Sequence, residues 1–123
     1  EGIQMGTRFV SSEESPVHEN FKGAIVNGSE QGTYILNKKS KPCIRALKTD
    51  LTDKIYEEGQ MDMSALGGIK DLYFGGDMNA APALAGQSIG LINKVMPVEE
   101  IIKQTMQEFN TVCDTLTNSK FEL

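Results

Sequence analysis

Apolar residues along this chain fall into short blocks, each closed by glycine, proline or a polar cluster, and their spacing changes from block to block. Gly2-Ile3-Gln4-Met5 reads as a short strand running into a turn at Gly6-Thr7, with Arg8 behind it. Ser11 to Pro16 then carries helix-start chemistry: hydroxyl caps, two acids and a proline tolerated in a first turn. The expected helix runs from about Pro16 to Val26, with Val17, Phe21, Ala24 and Ile25 at helical spacing and Asn27-Gly28 as its stop. Thr33 to Leu36 is β-branched and aromatic and predicts a strand. Asn37 to Pro42 reads as a turn, and Cys43 to Leu47 as a second extended piece.

Helical spacing returns from Thr49 to about Glu58, where Leu51 and Ile55 share a side and Gly59 ends the element. Met61 to Phe74 predicts another helix on Met63, Leu66, Ile69, Leu72 and Tyr73. Gly67-Gly68 weakens it by ~1 kcal/mol per glycine relative to alanine. After the break at Gly75-Gly76-Asp77, Ala80 to Ile92 is dense in small residues, which permits close packing of helix on helix or of backbone on a ligand. The final helix opens at Pro97, with Glu99 and Glu100 suited to the positive end of its dipole. Val98, Ile101, Ile102, Met106, Phe109, Val112, Cys113 and Leu116 give it one apolar face, and the tail from Thr117 to Leu123 is expected to fray. A strand pair plus one isolated strand cannot enclose an interior, so the chain is expected to begin partway through a larger protein.

Composition adds mainly exclusions. A formal charge of −5 and a pI near 4.8 argue against a general nucleic-acid surface, and Lys38, Lys39 and Lys41 form only a local basic turn. No window approaches the ~18 uninterrupted apolar residues that span a bilayer. Cys43 and Cys113 match neither a metal nor a redox spacing and read as two buried thiols in a reducing compartment, which places the protein in the cytoplasm. One histidine, His18, cannot build a histidine-rich metal site, so no metal ligands are assigned.

The chemistry is concentrated at the start. Gly6 allows close backbone approach to a ligand, Thr7 offers a hydroxyl beside its N–H, and Arg8 brings charge, which together suit a phosphate. Two partners are open to Arg8, the phosphate itself or an acidic neighbour. For His18 a structural or capping role is expected, for Arg45 an ion pair, and for Asp77 a turn or cap.

Four stretches, taken in order, carry a resemblance. They are Gly2 to Phe9; Glu14, His18 and Phe21-Lys22; Lys41 to Lys48; and Ala85 to Ile92. Together they resemble the C-terminal part of the nitronate monooxygenases, once called 2-nitropropane dioxygenases, and of the flavin-dependent enoyl-acyl-carrier-protein reductases. The resemblance implies an α/β fold, the C-terminal part of an FMN-binding (β/α)8 TIM barrel. Residues 1–28 would be the last barrel strand and following helix, 29–95 an excursion covering the flavin side, and 96–117 the C-terminal helix. It implies FMN as cofactor, with Gln4, Met5, Gly6 and Thr7 at its phosphate and Gln87 near the flavin pocket. The loops after the last strands of such barrels commonly hold phosphate, which agrees with the bottom-up reading. The family's catalytic histidine lies upstream, so no catalytic residue is assigned here.

The function implied is that of an FMN-dependent oxidoreductase of the nitronate monooxygenase type. The alternative within the family is an enoyl reductase fed by a nicotinamide donor. The substrate would be a nitronate or an enoyl thioester, with no nucleic acid or membrane as partner. Outside the family, the alternative is a non-catalytic helical interaction fragment. Alone, the chain is expected to bind flavin poorly, to be inactive, and to self-associate as a homo-oligomer through exposed apolar surface.

Overall fold

A computed structural model describes residues 2–119. It is an α/β fold in which helices surround a single two-stranded sheet among the described residues. Strands β1 (Thr33–Leu36) and β2 (Ile44–Leu47) pair antiparallel, with Thr33 opposite Leu47 and Leu36 opposite Ile44. Their connection turns at Asn37, whose φ of 59° suits asparagine and whose side-chain amide donates to Pro42 O at 2.9 Å. Strand β1 lies where its β-branched and aromatic residues put it, and β2 starts one residue after the expected extended piece Cys43 to Leu47.

The far edge of β2 is also paired. Leu47 N–H donates to Ala83 O at 2.8 Å and Ala85 N–H to Arg45 O at 3.3 Å, so the small-residue stretch lies alongside the hairpin. Alanine at 83 and 85 is what allows this approach. Both side chains are buried in a core with Phe21, Ile25, Leu72 and Ile89. A second core gathers Leu36, Ala46, Ile55 and Met61 on the other side of the hairpin.

Helix α1 is one turn, Thr7–Val10, and α2 spans Glu19–Val26. Residues 2–5 belong to no strand, contrary to the expected opening strand, because none of the described residues offers them a ladder of backbone partners. The start of α2 is also later than Pro16. Ser11 and Ser12 turn their hydroxyls back to Arg8 O and Phe9 O, and His18 caps α2 by accepting from Asn20 N–H at 3.1 Å. The capping role expected for His18 is therefore observed. Its ring lies against Gly76, where φ is 75° and an added Cβ would stand 2.3 Å from Nδ1.

Helix α3, Asp50–Glu58, closes at Gly59 and starts with a reciprocal cap between Thr49 and Thr52. Thr52 is fully buried and donates its hydroxyl to Leu47 O at 2.8 Å, so its polar atom is satisfied inside the core. The expected helix from Met61 to Phe74 is broken instead, into a 3-10 turn at Met63–Leu66 and helix α4 at Ile69–Tyr73. The break falls at Gly67-Gly68, the pair expected to weaken the helix, and Gly68 lets the Ala80 backbone approach so closely that an added Cβ would lie 2.0 Å from Ala80 O. Asp77 forms the expected turn, accepting from Asn79 N–H at 2.9 Å. Arg45 makes no ion pair among the described residues. It donates to Thr33 Oγ1 at 2.9 Å across the hairpin, since β1 presents a hydroxyl there.

Helix α5 runs Val98–Asn118, so Thr117 and Asn118 are helical rather than frayed, while Lys120–Leu123 and Glu1 lie outside the described residues. Of its apolar face only Ile101 is buried, and Phe109 and Leu116 remain 60% and 62% exposed. Both cysteines are exposed, which corrects the expectation of buried thiols. Cys43 sits in the hairpin connection, and Cys113 lies on α5 beyond the turn that packs on the chain.

Helix propensity and packing give opposite signs at two glycines. Gly23 lies inside α2 with nothing within 4 Å of an added Cβ, so Gly23→Ala is expected to stabilise by up to ~1 kcal/mol. Gly68→Ala is expected to destabilise by ~1–3 kcal/mol through the clash with the Ala80 carbonyl. Urea unfolding of the two variants checks the signs.

Candidate functional site

A cleft of about 550 Å³ opens where the N-terminal segment, the stretch after the small-residue run and the first turns of α5 meet. Gln4, Met5, Gly6 and Thr7 all line it, as does Arg8, so four of the five expected site residues come together at one place. The fifth, Gln87, is exposed and stands outside the lining, while its neighbours Gly86 and Ser88 face the cleft. A 3-10 turn at Gln87–Leu91 produces this, since three residues per turn separate adjacent side chains by about 120°.

The cleft's geometry is set by three straps. Thr7 Oγ1 accepts from Gly86 N–H at 2.9 Å, joining the first wall to the second. Arg8 donates through Nη1 to Lys94 O at 2.9 Å and to Ser11 Oγ at 3.2 Å, so among the described residues it meets a carbonyl and a hydroxyl rather than the acidic neighbour anticipated as one of its two partners. Partial burial lowers its pKa from the ordinary value, yet a guanidinium remains charged at any physiological pH. The third strap is Glu14. Pro97 caps α5 but has no side-chain acceptor, so Val98 N–H donates to both carboxylate oxygens of Glu14, at 2.9 and 3.0 Å. Glu13 N–H adds a bond to Met96 O at 3.0 Å. The acids and serines that read as the start of α2 thus anchor α5 and close α1.

The α5 wall was not legible as part of a site. Ile101, Gln104, Thr105 and Glu108 line it, and a helical period puts all four on one face. The Thr105 hydroxyl turns back to Ile101 O at 2.8 Å, and Thr111, Thr115 and Thr117 repeat that bond along the helix. Gln104 Nε2 donates to Glu108 Oε1 at 2.6 Å at the exposed rim. Periodicity marks such a face, but only the fold shows what stands opposite it.

The donors among the lining residues include Gln4, Thr7, Arg8, Ser88, Asn93 and Gln104, and the N–H groups of Thr7 and Arg8 precede those of Phe9 and Val10, which bond to Gly6 O. They suit an anion or a polar small molecule, and the volume lies within the ~300–1,000 Å³ usual for such sites. Among the described residues no three His, Cys, Asp or Glu side chains gather as metal ligands, and no helix is long and apolar enough to cross a membrane.

The profile of the nitronate monooxygenase family matches residues 1–108. Two solved structures of FabK from Thermotoga maritima are similar to this chain. One is 34% identical with a TM-score of 0.87, and the other, an M276A mutant, is 35% identical with a TM-score of 0.82. Each likeness covers 95% of this chain but only 39% and 37% of the FabK chain, so this chain spans under two-fifths of the length of those structures. No curated protein matches.

The Glu14 strap has a direct test. Glu14→Ala is expected to cost ~1 kcal/mol and to raise amide exchange at Val98 through Ile101, the first turn of α5, while exchange in β1 and β2 stays unchanged.

Proposed function

This chain belongs to the nitronate monooxygenase family, and from that membership we propose that it is the C-terminal part of an FMN-dependent oxidoreductase whose cofactor phosphate is held by Gln4 to Thr7. The observation that carries the reading is the convergence of those four residues on one cleft opposite Gly86 and Ser88. In this reading residues 1–28 take the place of the last strand and helix of a (β/α)8 barrel, residues 2–5 becoming a strand only where barrel neighbours pair with them, 29–95 cover the flavin side, and 96–117 are the C-terminal helix. Gln87 stands beside the pocket rather than in its wall.

The donor set fits a phosphate. Gly6 lines the cleft and has nothing within 4 Å of an added Cβ, so backbone N–H groups there are open to approach. The Thr7 hydroxyl accepts from Gly86 N–H, which leaves its own proton to donate. Glu108 is the one carboxylate among the lining residues, and it sits exposed at the opposite rim, engaged by Gln104.

When bound, the flavin supplies the electron or hydride transfer. The residues of this chain bind and orient: Gly6 and Thr7 grip the anion, Arg8 fixes the segment that carries Met96, and the turn at Gly86 narrows the cleft. No catalytic acid or base is assigned to them, and the chain alone is expected to be inactive.

Two branches divide on substrate. The family profile supports oxidation of a nitronate by the flavin, with oxygen as the final acceptor. The FabK likeness supports reduction of an enoyl thioester by a nicotinamide through the flavin, and its 95% coverage of this chain at 34–35% identity makes that the reading we favour.

Turnover of the complete protein separates the branches. Nicotinamide oxidation dependent on an enoyl thioester is expected, and oxygen uptake on a nitronate without it would reverse the choice. Gly6→Val should fold normally yet lower FMN affinity at least about tenfold, some 1.4 kcal/mol, because its added carbons occupy cleft space. Flavin fluorescence titration measures it, and unchanged affinity would remove Gly6 from the phosphate site.

A further inference from the structure

Thr7 and Gly86 stand 79 residues apart and meet through one hydrogen bond, Gly86 N–H to Thr7 Oγ1 at 2.9 Å. Gly86 opens the 3-10 turn Gln87–Leu91 and brings no side chain with which to cap it. The turn's hold on the N-terminal segment therefore depends on an oxygen from the other wall. Helix α1 packs against that turn, so a small shift of Thr7 is felt there. A threonine hydroxyl has one proton and two lone pairs. The Gly86 bond uses a lone pair, and among the described residues no other side-chain hydrogen bond engages Thr7.

We propose that Thr7 is a positioning residue that couples grip on the ligand's phosphate to placement of the Gly86–Leu91 wall. Donation of the free proton to a phosphate oxygen polarises the hydroxyl and makes its oxygen a better acceptor for Gly86 N–H, since hydrogen bonds in series strengthen one another. The ligand's anionic end thereby tightens the wall through Thr7, over and above any direct contact with Ser88. Gly86 itself could accept a methyl group, since an added Cβ lies 3.6 Å from both Thr7 Oγ1 and Ser88 Oγ. Its backbone N–H, rather than close packing, is the feature the coupling requires. The proposal rests on the FMN reading above, because it needs a ligand with a phosphate at this end of the cleft.

The test uses the complete protein with FMN, with riboflavin, which lacks the phosphate, and with neither, all at saturating ligand. Amide exchange is followed at Gly86 to Leu91. FMN is expected to slow exchange there several-fold more than riboflavin does in the wild type and in Thr7→Ser. In Thr7→Val the two flavins should protect equally. Equal protection by FMN and riboflavin in the wild type would overturn the coupling, as would FMN-specific protection that survives in Thr7→Val. Should Thr7→Val fail to fold, the wild-type comparison of the two flavins decides alone. Absence of binding by both flavins would instead sink the flavin reading, and the coupling with it.

Discussion

Pairing along the outer edge of β2 is the constraint on which the other parts of this molecule depend. A two-stranded hairpin is marginal in water, and its free edge would leave backbone groups unpaired. Here Ala83 and Ala85 supply a third row of hydrogen bonds to Arg45 and Leu47. Because successive β residues face opposite sides, Leu47 enters one core and Ala46 the other. Loss of that edge would separate the two cores from the segment that leads to the cleft.

The cleft inherits its shape from the same arrangement. One residue after the paired edge comes Gly86, whose N–H meets Thr7, and a few residues later Arg8 holds Lys94 O and Glu14 holds the start of α5. The N-terminal segment has no sheet of its own within the described residues, so side chains do the anchoring that a ladder would otherwise do. This explains why a threonine, an arginine and a glutamate within eight residues each bond to backbone about eighty residues away.

How much of this was legible in the sequence varied with the range of the interactions involved. Thr33–Leu36, α3 with its Thr49 and Gly59 boundaries, and the Pro97 start of α5 rest on local pattern and capping, and all appear as expected. The close approach at Gly68 needed knowledge of Ala80, and the redirection of Ser11, Ser12 and Glu14 needed knowledge of α5. The phosphate-suited chemistry of Gly6 and Thr7 could be read from residue type. That Ser88 rather than Gln87 faces them could not, because a 3-10 turn and an α-helix would present different members of the same stretch.

Thr105 alters the chemical character of the cleft's third wall, and it shares its geometry with three threonines further along α5. At Thr105 and at three later positions the hydroxyl donates its proton to a carbonyl of the preceding turn, which leaves the oxygen lone pairs and the γ-methyl to anything approaching. These rungs can accept a hydrogen bond but have no proton left to donate. On the α5 flank a ligand therefore meets the Ile101 side chain and the Thr105 methyl beside the polar rim of Gln104 and Glu108. The anionic end of such a ligand is matched by the Thr7 flank, whereas the α5 flank, with a carboxylate on its rim, disfavours it.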